Sequence, residues 1–233
     1  MIDALDHLVI GGSVGVYETL LGRRATDGRL RTGNVGLTFA GGPPGLQSMA
    51  FATGDVGKAA TLLERRAVAA TRDGDALALM GHGVAIGLAA KGSEAPSPFT
   101  DDEAACVSAL DHVVVRTSNP ERAITFYAGR LGLDLRLDRS NEKWGARLLF
   151  FRCGDLVVEI AHDLKKGVSD APDQLWGLSW RVPDVAKACA RLKASGLDVS
   201  EPRDGRRPGS QVFSVKDRTE GVPTLVIGGI GRW

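Results

Sequence analysis

The segment Ala4-Leu5-Asp6-His7-Leu8-Val9-Ile10 returns as Ala109-Leu110-Asp111-His112-Val113-Val114-Val115. His7 and His112 stand 105 residues apart, the spacing of a domain-sized repeat. Each copy is an apolar run of strand type with one histidine set into it, followed by a short helical stretch, 16–22 in the first half and 124–132 in the second. A chain of 233 residues built this way reads as two units rather than one large domain. The expected boundaries are 1–92 and 107–233, with a solvated linker at 93–106 whose Gly, Ser, Pro and acidic residues punctuate the chain.

Composition excludes several classes of function. Lys+Arg 29 against Asp+Glu 28 gives a net charge of +1, which removes the electrostatic case for nucleic acid or an anionic membrane. No stretch approaches the roughly 18 apolar residues of a spanning helix, and no basic segment leads into an apolar run at the amino terminus. Cys106, Cys153 and Cys189 are odd in number and lack paired spacing, which suits reduced thiols. The expectation is a cytoplasmic protein whose partner is a small molecule, with a homodimer left open.

Each half divides again. Strand 49–53, the turn and cap Gly54-Asp55 and helix 56–66 find their counterpart in strand 178–182, Pro183-Asp184 and helix 185–195. Asn119-Pro120-Glu121 supplies a capping residue, a first-turn proline and an acid facing the helix dipole. Short β-type runs follow each helix, so the recurring order is strand, helix, three strands. The first module is a poor copy: after 35–40 it enters Gly41-Gly42-Pro43-Pro44-Gly45, with a last strand expected to be missing or shortened.

Four such modules, with Leu-Asp-His opening a half and Phe-Tyr-x-x-x-Leu-Gly-Leu at 126–133, resemble the vicinal oxygen chelate superfamily of glyoxalase I, extradiol dioxygenases, methylmalonyl-CoA epimerase and bleomycin-resistance proteins. The resemblance implies an α+β, glyoxalase-like fold: four βαβββ modules in two pairs, forming curved mixed sheets with helices on the convex side. It implies much less about activity, because unrelated chemistries share that scaffold.

Metal-using members of that family place ligands on the first and last strands of modules facing one cup, a donor set suited to iron, manganese, nickel or zinc. By that resemblance His112 and Glu159 occupy both positions of the third module. Gly177 and Leu225 occupy those of the fourth, and Ser48 and Gly87 those of the second. The first module keeps only His7. Any ion is therefore expected on His112 and Glu159 alone, and dioxygenase or ordinary glyoxalase I activity drops down the list.

Strand alternation gives the rest of the cup. If His112 faces inward, so do Val114 and Arg116; Ser179 and Arg181 join from the fourth module. His112 and Glu159 are thus the candidate catalytic groups, with Arg116, Ser179 and Arg181 as substrate-binding candidates. The plainer alternative pairs Glu159 with Arg116 or Arg181 and leaves His112 a hydrogen-bonded strand residue. Trp144 is either a lid residue or an edge anchor. The basic run Arg203-Asp204-Gly205-Arg206-Arg207-Pro208-Gly209 is either a solvated loop or a cover over the cup mouth. The expected function is lyase or isomerase chemistry on a small oxygenated anion in the carboxy-terminal cup. The alternative is a non-catalytic small-molecule binder of the bleomycin-resistance type.

Overall fold

The repeated strand sits at the centre of each of two mixed sheets. The structure, a computed structural model, describes residues 2–229, so residues 230–233 of the expected second unit lie outside the described residues. The first half runs β1 (Ala4–Gly11), α1 (Val14–Leu21), β2 (Arg29–Arg31), β3 (Gly36–Ala40), β4 (Gly45–Thr53), α2 (Val56–Arg65), β5 (Ala70–Asp73), β6 (Ala76–Gly81) and β7 (Val84–Ala90). The second runs β8 (Ala109–Arg116), α3 (Pro120–Ile124), β9 (Asp134–Asn141), β10 (Ala146–Cys153), β11 (Leu156–Asp163), β12 (Gln174–Arg181), α4 (Val185–Ala194), β13 (Arg203–Asp204), β14 (Gln211–Val215) and β15 (Thr224–Gly228).

The strand orders are β2-β3-β1-β4-β7-β6-β5 and β13-β14-β15-β12-β8-β11-β10-β9. In each module the last strand lies parallel to the first, as β11 does to β8, and the two first strands of a half pair antiparallel. This is the glyoxalase-like α+β architecture. Local signals set its helices: Asp55, Asn119 and Asp184 accept from the backbone amides of Lys58, Arg122 and Lys187. Gly22, at φ 66°, ends α1 in the left-handed conformation that a side chain disfavours. α3 passes into one wide π-type turn over Thr125–Arg130, which turns Phe126 and Tyr127 into the core.

Alternation sends Val113, Val115, Leu178, Trp180 and Val158 to the helix side, where they are fully or almost fully buried. That leaves the opposite, concave face of each sheet for polar residues. No helix among the described residues is long and apolar enough to cross a membrane. The three cysteines are free and buried.

Of the two alternatives for the first module, its last strand is shortened and not missing: β3 has 5 residues against 8 in β11, lies parallel to β1 and puts Thr38 at the position Glu159 holds in the third module. The strand before β2 is reduced to the single bridge Thr26↔Arg29. The connecting segment is exposed along most of its length but is pinned near its middle. Ser97 is buried, its Oγ accepts from the Arg31 amide, and Arg23 donates to the Ser97 carbonyl while lying 4.0 Å over Phe99.

Candidate functional site

The site grows from an irregularity in β8. Against β12, Ser179 pairs with His112 and Trp180 with Leu110, so Asp111 is an extra residue that the register skips. A bulge of this kind re-aims side chains. Asp111, 1% exposed, places Oδ1 2.8 Å from His112 Nδ1 and Oδ2 3.9 Å from Arg181 Nε. The imidazole is thereby oriented with Nε2 toward the cup, where Glu159 Oε2 lies 3.7 Å away. That separation exceeds a hydrogen bond and leaves the two atoms free to share a third group.

Burial disfavours the charged imidazole, but the hydrogen bond to Asp111 and the charges of Glu159 and Asp111 outweigh it, and Arg207 opposes them only in part. The net result is a pKa above the ordinary histidine value. With side chains 16% and 14% exposed, His112 and Glu159 form a nearly enclosed acid–base pair.

The pairing registers fix what faces this pair from the fourth module. Val114 pairs with Glu159 and Ser179 with Leu225, so Leu225 stands where the third module has glutamate; Gly177 likewise stands where it has His112. A side chain at Gly177 would strike the Pro223 carbonyl, with an added Cβ 2.8 Å from the oxygen. Among the described residues no group of three His, Cys, Asp or Glu side chains converges. The donor set therefore fits at most an ion held by His112 and Glu159, not a closed shell of protein ligands.

The remaining candidates divide. Ser179, beside His112 in register, is fully buried and its Oγ has no hydrogen-bond partner among the described residues. Arg116 is exposed at the mouth, its guanidinium 4.0 Å over the Trp176 ring. Arg181 departs from its expected role as a ligand for substrate: its Nη2 donates to the Leu110 carbonyl, the Asp155 carbonyl and Asp155 Oδ2. It braces Asp111 from behind. A cavity of about 470 Å³ opens beside it, lined also by Gly33, Ser108, Asp155 and Gly228, and Arg181 is the one expected site residue it reaches. Neither arginine is the ion-pair partner of Glu159; His112 is.

Trp144 lies in the β9–β10 turn, 41% exposed, with Arg206 4.2 Å and Arg139 5.2 Å from its ring centre. The basic run thus reaches the β9–β10 turn, with Arg207 near enough for its charge to act on His112. Sequence reasoning passed over Asp111, although Asp precedes His in both copies of the repeat.

In the first half the same device recurs: Asp6 is the extra residue of a bulge and lies 3.0 Å from His7 Nδ1. Asp6 also accepts from the Gly92 amide, and His7 is far more exposed than His112. Thr38 stands at the position Glu159 holds in the third module, so no carboxylate faces His7 from that strand. His82 is a turn residue at φ 53°, packed edge-on against Phe126; His162 is buried on the other face with Nδ1 on the Thr117 carbonyl.

Known proteins share this architecture. A profile of the Glyoxalase/Bleomycin resistance protein/Dioxygenase superfamily matches residues 109–223. The carboxy-terminal half of the chain belongs to that superfamily, the vicinal oxygen chelate group. The chain is similar to lactoylglutathione lyase of Salmonella typhimurium, 23% identical over 51% of this chain and 90% of the relative. The lactoylglutathione lyase of Neisseria meningitidis serogroup A is 25% identical over 48% of this chain and 84% of its own length. The crystal structure of BphC, a halotolerant catechol dioxygenase, matches the fold of the whole chain: it covers 100% of this chain and 89% of the other at 13% identity, with a TM-score of 0.78.

Proposed function

We propose that the carboxy-terminal cup is the active site of an enzyme that moves a proton on a small, oxygenated, anionic molecule, in lyase or isomerase chemistry. The observation that carries this reading is the enclosed His112–Glu159 pair, 3.7 Å apart and oriented from behind by Asp111. Neutral His112, its Nδ1 bonded to Asp111, offers the Nε2 lone pair as a base; the raised pKa then lets the imidazolium return the proton from the same atom. Glu159 takes or supplies the second proton. The Arg116 guanidinium at the mouth, and Arg207 above His112, suit a carboxylate or a developing oxyanion. A divalent ion, if bound, rests on His112 and Glu159 and supplies polarisation of a substrate oxygen. The likeness to two lactoylglutathione lyases supports this class of chemistry over ring cleavage.

The test is exchange of carbon-bound protons. Small 2-oxo and 2-hydroxy acids, and hemithioacetals, are incubated with the protein in D2O and followed by proton NMR. Exchange that disappears in both His112→Ala and Glu159→Gln supports the reading. Binding without exchange of any compound supports the second reading, a non-catalytic binder, which is favoured by Gly177 and Leu225 standing where further ligands would be.

A further inference from the structure

The two outermost strands of the eight-stranded sheet are tied together across the cup. The loop between β13 and β14 reaches from one edge to the β9–β10 turn at the other, where Arg206 stacks on Trp144 at 4.2 Å. Its backbone bonds are its own: the Gly205 amide donates to the Ser210 carbonyl, and the Ser210 amide and Oγ donate to the Arg207 carbonyl. Its anchorage to the sheet is two residue pairs, Arg203↔Val212 and Asp204↔Gln211. Such a loop moves as a unit, and a solvent-exposed guanidinium–indole stack biases it toward the sheet by roughly two- to fivefold.

The rim beneath it is basic, with Glu159 deeper in the cup. Arg139, Leu148, Ala161, Arg116 and Gln174 form one row across the sheet at the mouth. Arg116, Arg139 and Arg206 each stack on a tryptophan, and none has an ion-pair partner among the described residues. Behind Arg206, Arg207 turns inward: it is half-buried, with Nη1 shut off from solvent.

We propose that residues 205–210 form a lid over this cup, latched by Arg206 on Trp144, whose closure carries the Arg207 guanidinium to a small carboxylate-bearing ligand held beside His112. The proposal rests on the reading of the cup as a ligand site but not on any turnover there.

Limited trypsin digestion of the whole protein reads the lid directly. Trypsin cuts after Arg206, and Pro208 blocks the bond after Arg207, so the Arg206–Arg207 bond reports the open loop. Mass spectrometry follows that cut against the one after Arg72, which is exposed on β5 in the other half. Trp144→Ala should accelerate cleavage after residue 206 about two- to fivefold. Arg206→Lys keeps the scissile bond and the charge, loses the planar stack and should accelerate it as well, while Trp144→Phe stays near the parent. No acceleration in Ala and Lys variants, or equal acceleration at Arg72, overturns the latch. Pyruvate and malonate should slow the cut in the parent but not in Arg207→Gln, with sulfate at matched ionic strength doing neither. Protection that survives Arg207→Gln, or is absent from the parent, overturns the role of Arg207. A lid that behaves as described while no proton exchange is found would sink the catalytic reading alone.

Discussion

Asp111 and His112 are neighbours in sequence, yet their side chains meet at 2.8 Å on a strand where consecutive residues ordinarily face opposite ways. The bulge at Asp111 makes this geometry, and the duplicate Asp6–His7 pair at 3.0 Å shows that it came with the repeat. What distinguishes the halves is the environment. His112 has Glu159 before it and Arg181 behind Asp111; the matching positions around His7 hold Thr38 and Ala52.

Asp111→Asn isolates the charge from the shape. The amide still reaches Nδ1, but the imidazolium loses its nearest compensation. Proton exchange at pH 7 should fall about 10- to 100-fold, the usual cost of removing a carboxylate behind a working histidine. Because Asp111 is 1% exposed and lies behind the His112 ring, the concentration dependence should change little. A loss seen only in KM would show that Asp111 shapes binding instead.

The raised pKa of His112 has a consequence for stability with a definite sign. In the unfolded chain His112 titrates near 6.5; in the folded protein it holds its proton to higher pH. Its stabilising contribution is therefore complete below 6.5 and is lost as pH rises through the folded value. Urea unfolding of parent and His112→Gln should differ most in acid and converge as pH rises. Arg207→Gln, which removes an opposing charge, should move the convergence to higher pH. A difference that grows with pH would mean that His112 is neutral in the folded state.

The arrangement of modules was legible because two periodicities repeat along the chain. The Leu-Asp-His motif marks the central strands, and strand register puts Gly177 where the third module has His112 and Leu225 where it has Glu159. Alternation failed where the strand is irregular. It places Asp111 on the face opposite His112, and only the bulge brings them together. Arg181 does stand in the row it was assigned, but its partner Asp155 sits in a turn that no local pattern connects to it. The contact of Arg206 with Trp144 depends on how far an eight-stranded sheet curls, which no short window of sequence encodes.

Metal binding, if it occurs, should be weak and should depend unequally on its two ligands. His112→Ala removes the only nitrogen donor and should abolish a thermal shift with Mn, Ni or Zn while leaving the fold intact. Glu159→Gln keeps an oxygen donor without its charge and should weaken binding less. Dialysis against a chelator should strip the ion from the parent. A stoichiometric ion that survives the chelator would show that residues beyond this pair complete the site.

Several hydrogen bonds join the two halves, among them Tyr17 to Thr219 and Arg191 to Leu20, and the one made by Asn34 reaches the site strand. Asn34 Oδ1 accepts from the Leu110 amide at 2.8 Å, while Nδ2 donates to the Leu110 carbonyl and to Asp155 Oδ1. β11 begins at Leu156, so there is no strand left to pair with Leu110 on that side; the Asn34 carboxamide stands in for a peptide group beside the Asp111 bulge. In Asn34→Ala the Leu110 carbonyl keeps Arg181 but the amide loses its acceptor, a cost of about 1–3 kcal/mol. At roughly 2–4 °C per kcal/mol for a chain of this size, Tm should drop by several degrees. Asn34→Asp keeps the acceptor but sets a second carboxylate against Asp155, so its deficit should exceed that of alanine at pH 7 and shrink in acid as one of the two protonates. If neither variant changes Tm, the Asn34 contact contributes nothing to the coupling of the two halves.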